Sequence, residues 1–327
     1  MEKLTIAVDT MGGDLGPSAV IEGAVLASQE FPAIDLTLVG DEAVMVETLA
    51  NIAKKYPQGA PYKFKFLHAP EVIGFDEVPT VAIKQKKNSS MVMGLKHLKS
   101  GEAQGFVSAG STGALLVGIF AFVKRQPGIH RPALCTLLPT KTGMTLLLDC
   151  GANAEVKPAY LLQFGQLGAD YMQNVMGVKT PRVGLVNIGT EKEKGTPLLQ
   201  EAYELLENSD LNFVGNIEGR GIPAGEVDVA VCDGFVGNVV LKLTEGLSKT
   251  LMGMIKEELM ASKISKLGAI LAKGAFGRLK KKFDYREVGG APFLGLESLV
   301  VKAHGSSDVL AIKNAIRQCV LYSQSKN

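Results

Sequence analysis

The sequence predicts an α/β protein with three layers, α/β/α, around a mostly parallel sheet. Short apolar runs of strand length recur along the chain, small or polar residues follow each run, and helical periods fill the intervals. Strands that alternate with helices are joined by crossovers, which puts helices on both faces of a parallel sheet. The strands are expected at 4–9 (LTIAVD), 35–40, 63–68, 105–110, 144–151, 182–189, 212–216 and 227–234. Helical patterns include 157–176 and 196–207. No Pro/Ser-rich linker or internal repeat interrupts this order, so residues 1–327 read as one domain. The exception is 245–285, a helical hairpin that departs from the alternation.

A hydrophobic content of 46% over 327 residues supports a sizeable core. The 37 glycines sit at element ends, which implies tight strand-to-helix turns. Cys135, Cys150, Cys232 and Cys319 have neither metal-ligand spacing nor a disulfide framework, as in a reducing cytosol. MEKLTIAVD runs directly into a strand without a signal-peptide layout, and no 18-residue apolar stretch occurs. A cytoplasmic location without a transmembrane anchor is expected. The net charge of +2 argues against general nucleic-acid binding. Its distribution is uneven. Between Glu258 and Asp284 there are seven basic residues and no acid, which leaves −5 for the rest of a chain of net +2.

Asp9, Asp149, Asn187 and Asp233 each end a strand just before glycines. Ligands of open parallel sheets bind beyond that edge. A polar rim along one edge is expected, although each residue also reads as a turn former or cap. In SAGSTGAL (108–115), Gly110 and Gly113 let the backbone approach a ligand, and a helix N-terminus favours anions. A helix end contributes only ~0.3–1 kcal/mol, so selective phosphate binding needs a cation from elsewhere. KKNSSM (86–91) is a second such loop, with Asn88 and Ser89 as binders or caps. NIGTEKEKGTP (187–197) sets Thr190, Glu191, Lys192 and Lys194 beyond a buried strand, and one of its lysines is the candidate cation; it also reads as an exposed charged loop. CDGFVGN (232–238) offers Asp233, Gly234 and Asn238, the last an amide for an oxyanion or a plain helix entry. KAHGSSD (302–308) adds His304, with Ser306 and Ser307 as expected caps of the last helix. No GxGxxG, Walker lysine, nucleophile elbow or H-E-x-x-H is present. Cys150 and Cys232 lie in apolar strands, where a thiol is inert. A bound substrate is therefore the expected nucleophile, with no cofactor and no metal.

These segments, with AVDTMGGDLGP (7–17) and LLLDCGAN (146–153), stand in the order seen in bacterial phosphate acyltransferases of phospholipid synthesis. The chain resembles that family, the PlsX family, over nearly its whole length. Cys150 stands where a small apolar residue is common. The resemblance implies a fold similar to the isopropylmalate dehydrogenase and phosphotransacetylase group, and a homodimer. It implies conversion of acyl–acyl carrier protein and inorganic phosphate to acyl phosphate and free carrier. It places the functional lysine and asparagine on Lys194 and Asn238. Candidate phosphate and substrate contacts are then Ser108, Gly110, Ser111, Thr112, Gly113, Asn88, Ser89, Asp149, Asn153, Asn187, Thr190, Asp233, Gly234 and His304. Lys194 is expected to complete the phosphate site of the glycine loop.

Over 249–285, Leu251, Ile255 and Leu259 and then Met260, Ile264, Leu267 and Leu271 keep a helical period, which Gly274 and Gly277 are expected to break. Lys263, Lys266, Lys273, Arg278, Lys280, Lys281 and Lys282 are candidate contacts to an acidic carrier protein or to an anionic membrane at the inner surface. The same segment also reads as a dimer contact with a wet basic face. Rival readings are a decarboxylating dehydrogenase on the same fold, opposed by few arginines near the cleft, and a non-catalytic peripheral membrane scaffold.

Overall fold

The computed structural model describes residues 3–57, 62–282 and 284–324. Its strands are β1 (Leu4–Asp9), β2 (Ile34–Gly40), β3 (Lys65–His68), β4 (Gly105–Ser108), β5 (Ala133–Pro139), β6 (Met144–Leu148), β7 (Val183–Val186), β8 (Phe213–Ile217), β9 (Val229–Val231), β10 (Ala291–Leu294) and β11 (Leu299–Lys302). Its helices are α1 (Gly16–Glu30), α2 (Glu42–Lys55), α3 (Pro79–Gln85), α4 (Ser90–Lys99), α5 (Thr112–Phe122), α6 (Pro158–Asn174), α7 (Pro197–Glu207), α8 (Gly221–Ala224), α9 (Gly234–Met260), α10 (Lys263–Leu271), α11 (Lys273–Lys282), α12 (Tyr285–Val288) and α13 (Val309–Gln324).

The strands form one 11-stranded sheet in the order β3-β2-β1-β4-β11-β10-β5-β6-β9-β7-β8. From β3 to β11 neighbours are parallel, and from β6 to β8 they are parallel again. Between these sets, β10 runs antiparallel to both β11 and β5, and β5 runs antiparallel to β6. The two parallel sets therefore point in opposite directions. The carboxyl ends of β1, β4 and β11 open on one edge, the first edge; those of β6, β9 and β7 open on the other, the second. The expected single rim is corrected accordingly. Asp9 lies on the first edge, while Asp149, Asn187 and Asp233 lie on the second.

Helices cover both faces. Ile6, Val8, Ile21, Leu36, Ile312 and Ile316 pack β1 and β2 against α1 and α13. Phe106, Leu95, Leu115, Leu147 and Phe293 fill the opposite face under α4 and α5. Leu146, Leu161, Phe164, Leu185 and Leu206 pack under α6 and α7. Each such buried side chain stabilises the fold by roughly 1.5–3 kcal/mol.

The hairpin begins earlier than expected. α9 is a 27-residue helix from Gly234, about 40 Å long at the usual rise. The helical run breaks at Ala261–Ser262 and at Ala272, whereas Gly274 and Gly277 lie inside α11. Ser262 and Ser265 form a reciprocal capping box that starts α10 afresh, which explains the first break. Among the described residues, no helix is long and apolar enough to cross a membrane.

Candidate active site

On the first edge, β1 and β4 are paired side by side, which sets Asp9 beside Ser108. Ser108 Oγ donates to Asp9 Oδ2 at 2.6 Å and accepts from Gly110 N at 3.1 Å. Met11 N and Gly12 N donate to Asp9 Oδ1. Burial pushes the Asp9 carboxyl up, against these bonds and one from Ser90. Ser111 caps α5, accepting from Ala114 N at 3.4 Å. Thr112 and Gly113 open the helix, and first-turn N–H groups have no partner within their own helix. Beside them stands Lys302, which ends β11 and is only 7% exposed. Its Nζ donates to Ala109 O at 3.4 Å and to Ala303 O. Burial pushes its pKa down to about 8, with Asp9 and Asp14 opposing the shift and Lys242 adding to it. Lys302 is thus the cation in contact with the glycine loop.

On the second edge the buried polar groups build loops. The Asp149 carboxylate is fully buried. It accepts from Leu134 N, Gly151 N, Ala152 N and Asn153 N and from the Asn153 amide. Asn153 Nδ2 also reaches Pro132 O at 2.9 Å. Asn187 donates to Lys194 O and to Asn216 Oδ1, both at 3.1 Å, which folds 188–195 back on itself. Gly195 makes that fold at φ +91°, with Asn187 where a Cβ would stand. Lys194 and Thr190 are exposed, and the Lys194 stem lies over Gly189.

α9 connects the two edges. Asp233 caps it, accepting from Val236 N at 2.9 Å. Gly237 allows the close approach, since a Cβ there would sit 1.8 Å from Asp149 O. Asn238 lies against Gly151 and is exposed. From there α9 runs back across the sheet. One turn after Asn238, Lys242 Nζ stands 3.2 Å from His304 Nε2 on the first edge. Residues four apart share a helix face. One face of α9 therefore carries an amide at the second edge and a cation at the first. Burial and Lys242 hold the His304 pKa below its ordinary value.

Ser89 and Ser111 serve as helix caps, as does Asp233. Asn88 is exposed, and its N–H donates to Glu71 Oε2. Ser306 Oγ lies 2.9 Å from His304 Nδ1, and it is Asp308 that accepts from Ala311 N at the start of α13. The structure brings Ser108, Gly110–Gly113 and His304 to one edge, and Asp149, Asn153, Asn187, Thr190, Lys194, Asp233, Gly234 and Asn238 to the other. Lys194 ends up on the edge opposite the glycine loop it was expected to complete. Lys302 and Lys242 were missed. The only signal for Lys302 is a lysine closing the apolar run LVVK. Burial pushes the Cys135, Cys150 and Cys232 thiols well up, so none is a thiolate nucleophile. In the hairpin, Lys263, Lys266, Lys273, Arg278 and Lys282 are exposed. The side chains of Lys280 and Lys281 lie outside the described residues.

Residues 4–326 match the family model described as "Fatty acid synthesis protein". A phosphate acyltransferase of Clostridium perfringens strain SM101 is 49% identical over 96% of this chain and 92% of its own. One of Clostridium botulinum strain Loch Maree is 48% identical over 99% and 95%. A phosphotransacetylase from Streptococcus pyogenes shares the fold, with TM-score 0.64, 17% identity and coverage of 99% of this chain and 94% of that one. A family match from end to end and relatives at this identity lead to one conclusion: the chain belongs to the fatty acid synthesis protein family.

Proposed function

We propose that the protein moves an acyl group from an acyl–acyl carrier protein thioester to inorganic phosphate, releasing acyl phosphate and free carrier for phospholipid synthesis. The phosphate acyltransferase relatives support this reading. The observation that carries it is the face of α9. It sets the Asn238 amide one turn from Lys242, whose ammonium reaches His304 on the edge that carries the glycine loop. In this reading phosphate rests at the first turn of α5, balanced by Lys302 and Lys242. A phosphate oxygen attacks the thioester carbonyl, the carbon–sulfur bond breaks, and the thiolate leaves with the carrier. Asn238 donates to the tetrahedral oxyanion, and Lys194, on the same edge, offsets its charge. Positioning two bound substrates is the larger task, worth ~7–11 kcal/mol in favourable cases.

The test is acyl phosphate formation with and without inorganic phosphate, trapped with hydroxylamine. Product is expected only with phosphate. Thioester loss that ignores phosphate would overturn the reaction. Folded Lys194→Ala and Asn238→Ala proteins working at the normal rate would overturn the residue roles.

We read the chain as one catalytic domain with the hairpin as its contact arm. Phe235, Val239, Leu243, Leu247 and Leu251 repeat every four residues along α9 and are all exposed, which suits a second copy of the chain. α10 has no buried residue and exposes Ile264, Leu267, Ile270 and Leu271 beside Lys263 and Lys266. That pairing of apolar and basic side chains suits reversible contact with an anionic membrane surface from the cytoplasm.

A further inference from the structure

A second basic site lies beside the second edge, away from the glycine loop and the hairpin. Between Glu102 and Asp149 the chain has no acidic residue, but it has Lys124, Arg125, Arg131 and Lys141. Two of these line a cavity of about 390 Å³ between the end of α5, the 123–132 loop and the start of α6. Its walls include Phe120, Arg125, His130, Arg131 and Tyr160. The volume falls in the usual range for small-molecule sites, roughly 300–1,000 Å³.

The pocket is held open by the protein itself. Gln163 of α6 accepts from His130 N at 3.0 Å and donates to Gly128 O at 2.7 Å, which pins the loop. Arg125 Nη1 donates to His130 O at 2.5 Å. The Arg131 guanidinium lies 5.3 Å from the centre of the Phe120 ring. An aromatic face orients a guanidinium without neutralising it. Neither arginine is ion-paired to an acid among the described residues. Two unneutralised guanidinium forks around one cavity suit a phosphate group, which arginine binds through paired N–H donors.

Its place in the fold says which phosphate. Pro132, next to Arg131, accepts from the Asn153 side chain, and Leu134 N donates to Asp149. The same 149–153 loop lies against Asn238. The pocket thus adjoins the thioester side of the site, whereas the glycine loop opens on the other edge. We propose that this pocket binds the phosphodiester of the acyl donor's phosphopantetheine arm and so aims the thioester at Asn238. The inference rests on the reaction proposed above and adds the subsite that recognises the donor.

The test uses the full chain and donors that differ only in that phosphate: acyl-phosphopantetheine and acyl-pantetheine, each with saturating inorganic phosphate. Wild type is expected to show a KM about tenfold lower for the phosphorylated donor, the loss of a charged hydrogen-bonded pair being of that size. Arg131→Ala should erase the difference, raising KM for the phosphorylated donor alone, and Arg131→Lys should restore part of it. KM for inorganic phosphate should stay unchanged. Equal effects on both donors would overturn the proposal, as would a rise in KM for inorganic phosphate, which would place that substrate in the pocket. A KM change confined to the intact acyl carrier protein would overturn it too, by assigning the arginines to the carrier's acidic surface. Calorimetric binding of phosphopantetheine against pantetheine reads the pocket without turnover. If wild type makes no acyl phosphate but binds phosphopantetheine in an Arg131-dependent way, the reaction fails and the pocket stands. If it makes acyl phosphate but does not distinguish the two arms, the pocket fails and the reaction stands.

Discussion

The two edges of the sheet bury polar groups in different ways. On the second edge the Asp149 carboxylate meets four backbone N–H groups and one amide, and Asn187 closes the 188–195 loop on itself. These buried groups satisfy one another, and Asn238 and Lys194, to which the proposed reaction gives its donors, are exposed at the helix and loop surfaces. On the first edge the buried set includes a cation. Lys302 is held by carbonyl oxygens and by the field of Asp9, and burial has already weakened its hold on a proton. One edge is therefore a rigid frame that presents donors, and the other stores a charge that a bound anion would stabilise.

The largest expected effect tests the presented donor. Asn238→Ala should lower kcat by roughly 10²–10³-fold, the usual cost of removing one oxyanion donor. KM for phosphate should not move, because phosphate is assigned to the other edge. The side chain is exposed, so thermal unfolding should match wild type. A changed KM with an unchanged kcat would move Asn238 from the oxyanion to ground-state binding.

The frame itself comes next. Asp149→Ala leaves the N–H groups of 151–153 and Leu134 without their acceptor. A buried donor left unpaired costs about 1–3 kcal/mol, so the variant should lose about 2–3 kcal/mol of stability by denaturant midpoint. Loss of less than about 0.5 kcal/mol would mean that the loop holds its shape without the carboxylate.

The stored charge is the third test. Lys302→Met should raise KM for phosphate about tenfold while leaving KM for the acyl donor alone, the size of one charged hydrogen bond. Its pH behaviour is more specific. Lys302 has a pKa near 8 in the folded protein against an ordinary 10.5. Between these values the unfolded chain binds more protons than the folded one, so stability rises with pH across that window. Below about 8 the folded protein carries the buried ammonium at a cost. Lys302→Met should therefore be the more stable protein at pH 7, with its advantage shrinking towards pH 10.5. In wild type, KM for phosphate should climb as pH passes about 8. A pH-independent stability difference would mean that Lys302 titrates normally.

The contrast between edges was only half legible in the sequence. β1 falls on LTIAVD to the residue, and α6 and α7 fall within two residues of their expected spans, because each follows the strand–turn–helix rhythm. β5 and β10 break that rhythm. β5 returns directly into β6 through the Thr140–Gly143 turn, and β10 pairs antiparallel with β11, so no helix marks either strand. Missing them hides the reversal of direction and merges two edges into one rim. The caps were legible as alternatives, since Ser and Asp before a helix do the same local job whether or not a ligand is near. Lys302 was not legible. Nothing in LVVK separates a buried ammonium from an exposed strand end; only the neighbouring carbonyls of 109 and 303 do. The acid-free stretch around Arg131 was present too, but its four basic residues are spread too thinly to stand out beside the seven of the hairpin.

The smallest expected effect on catalysis lies in the hairpin, which belongs to neither edge. α10 buries no side chain, and Ile264 and Leu271 are 85% and 82% exposed. Replacing both, Ile264→Asp with Leu271→Asp, therefore removes no packing within the chain. Turnover of a soluble donor should stay within twofold of wild type, and the α9 stripe further up the helix should still support self-association. Sedimentation with anionic vesicles should be lost. Salt separates the two contributions to that binding. The lysines contribute about 1 kcal/mol each near an anionic surface, screened within a Debye length of about 10 Å at 0.1 M. The apolar side chains contribute through buried area, which salt leaves in place. Vesicle binding that survives the double substitution but vanishes in high salt would make the contact purely electrostatic. Binding that survives both would take the hairpin out of membrane contact and leave α10 a free tip.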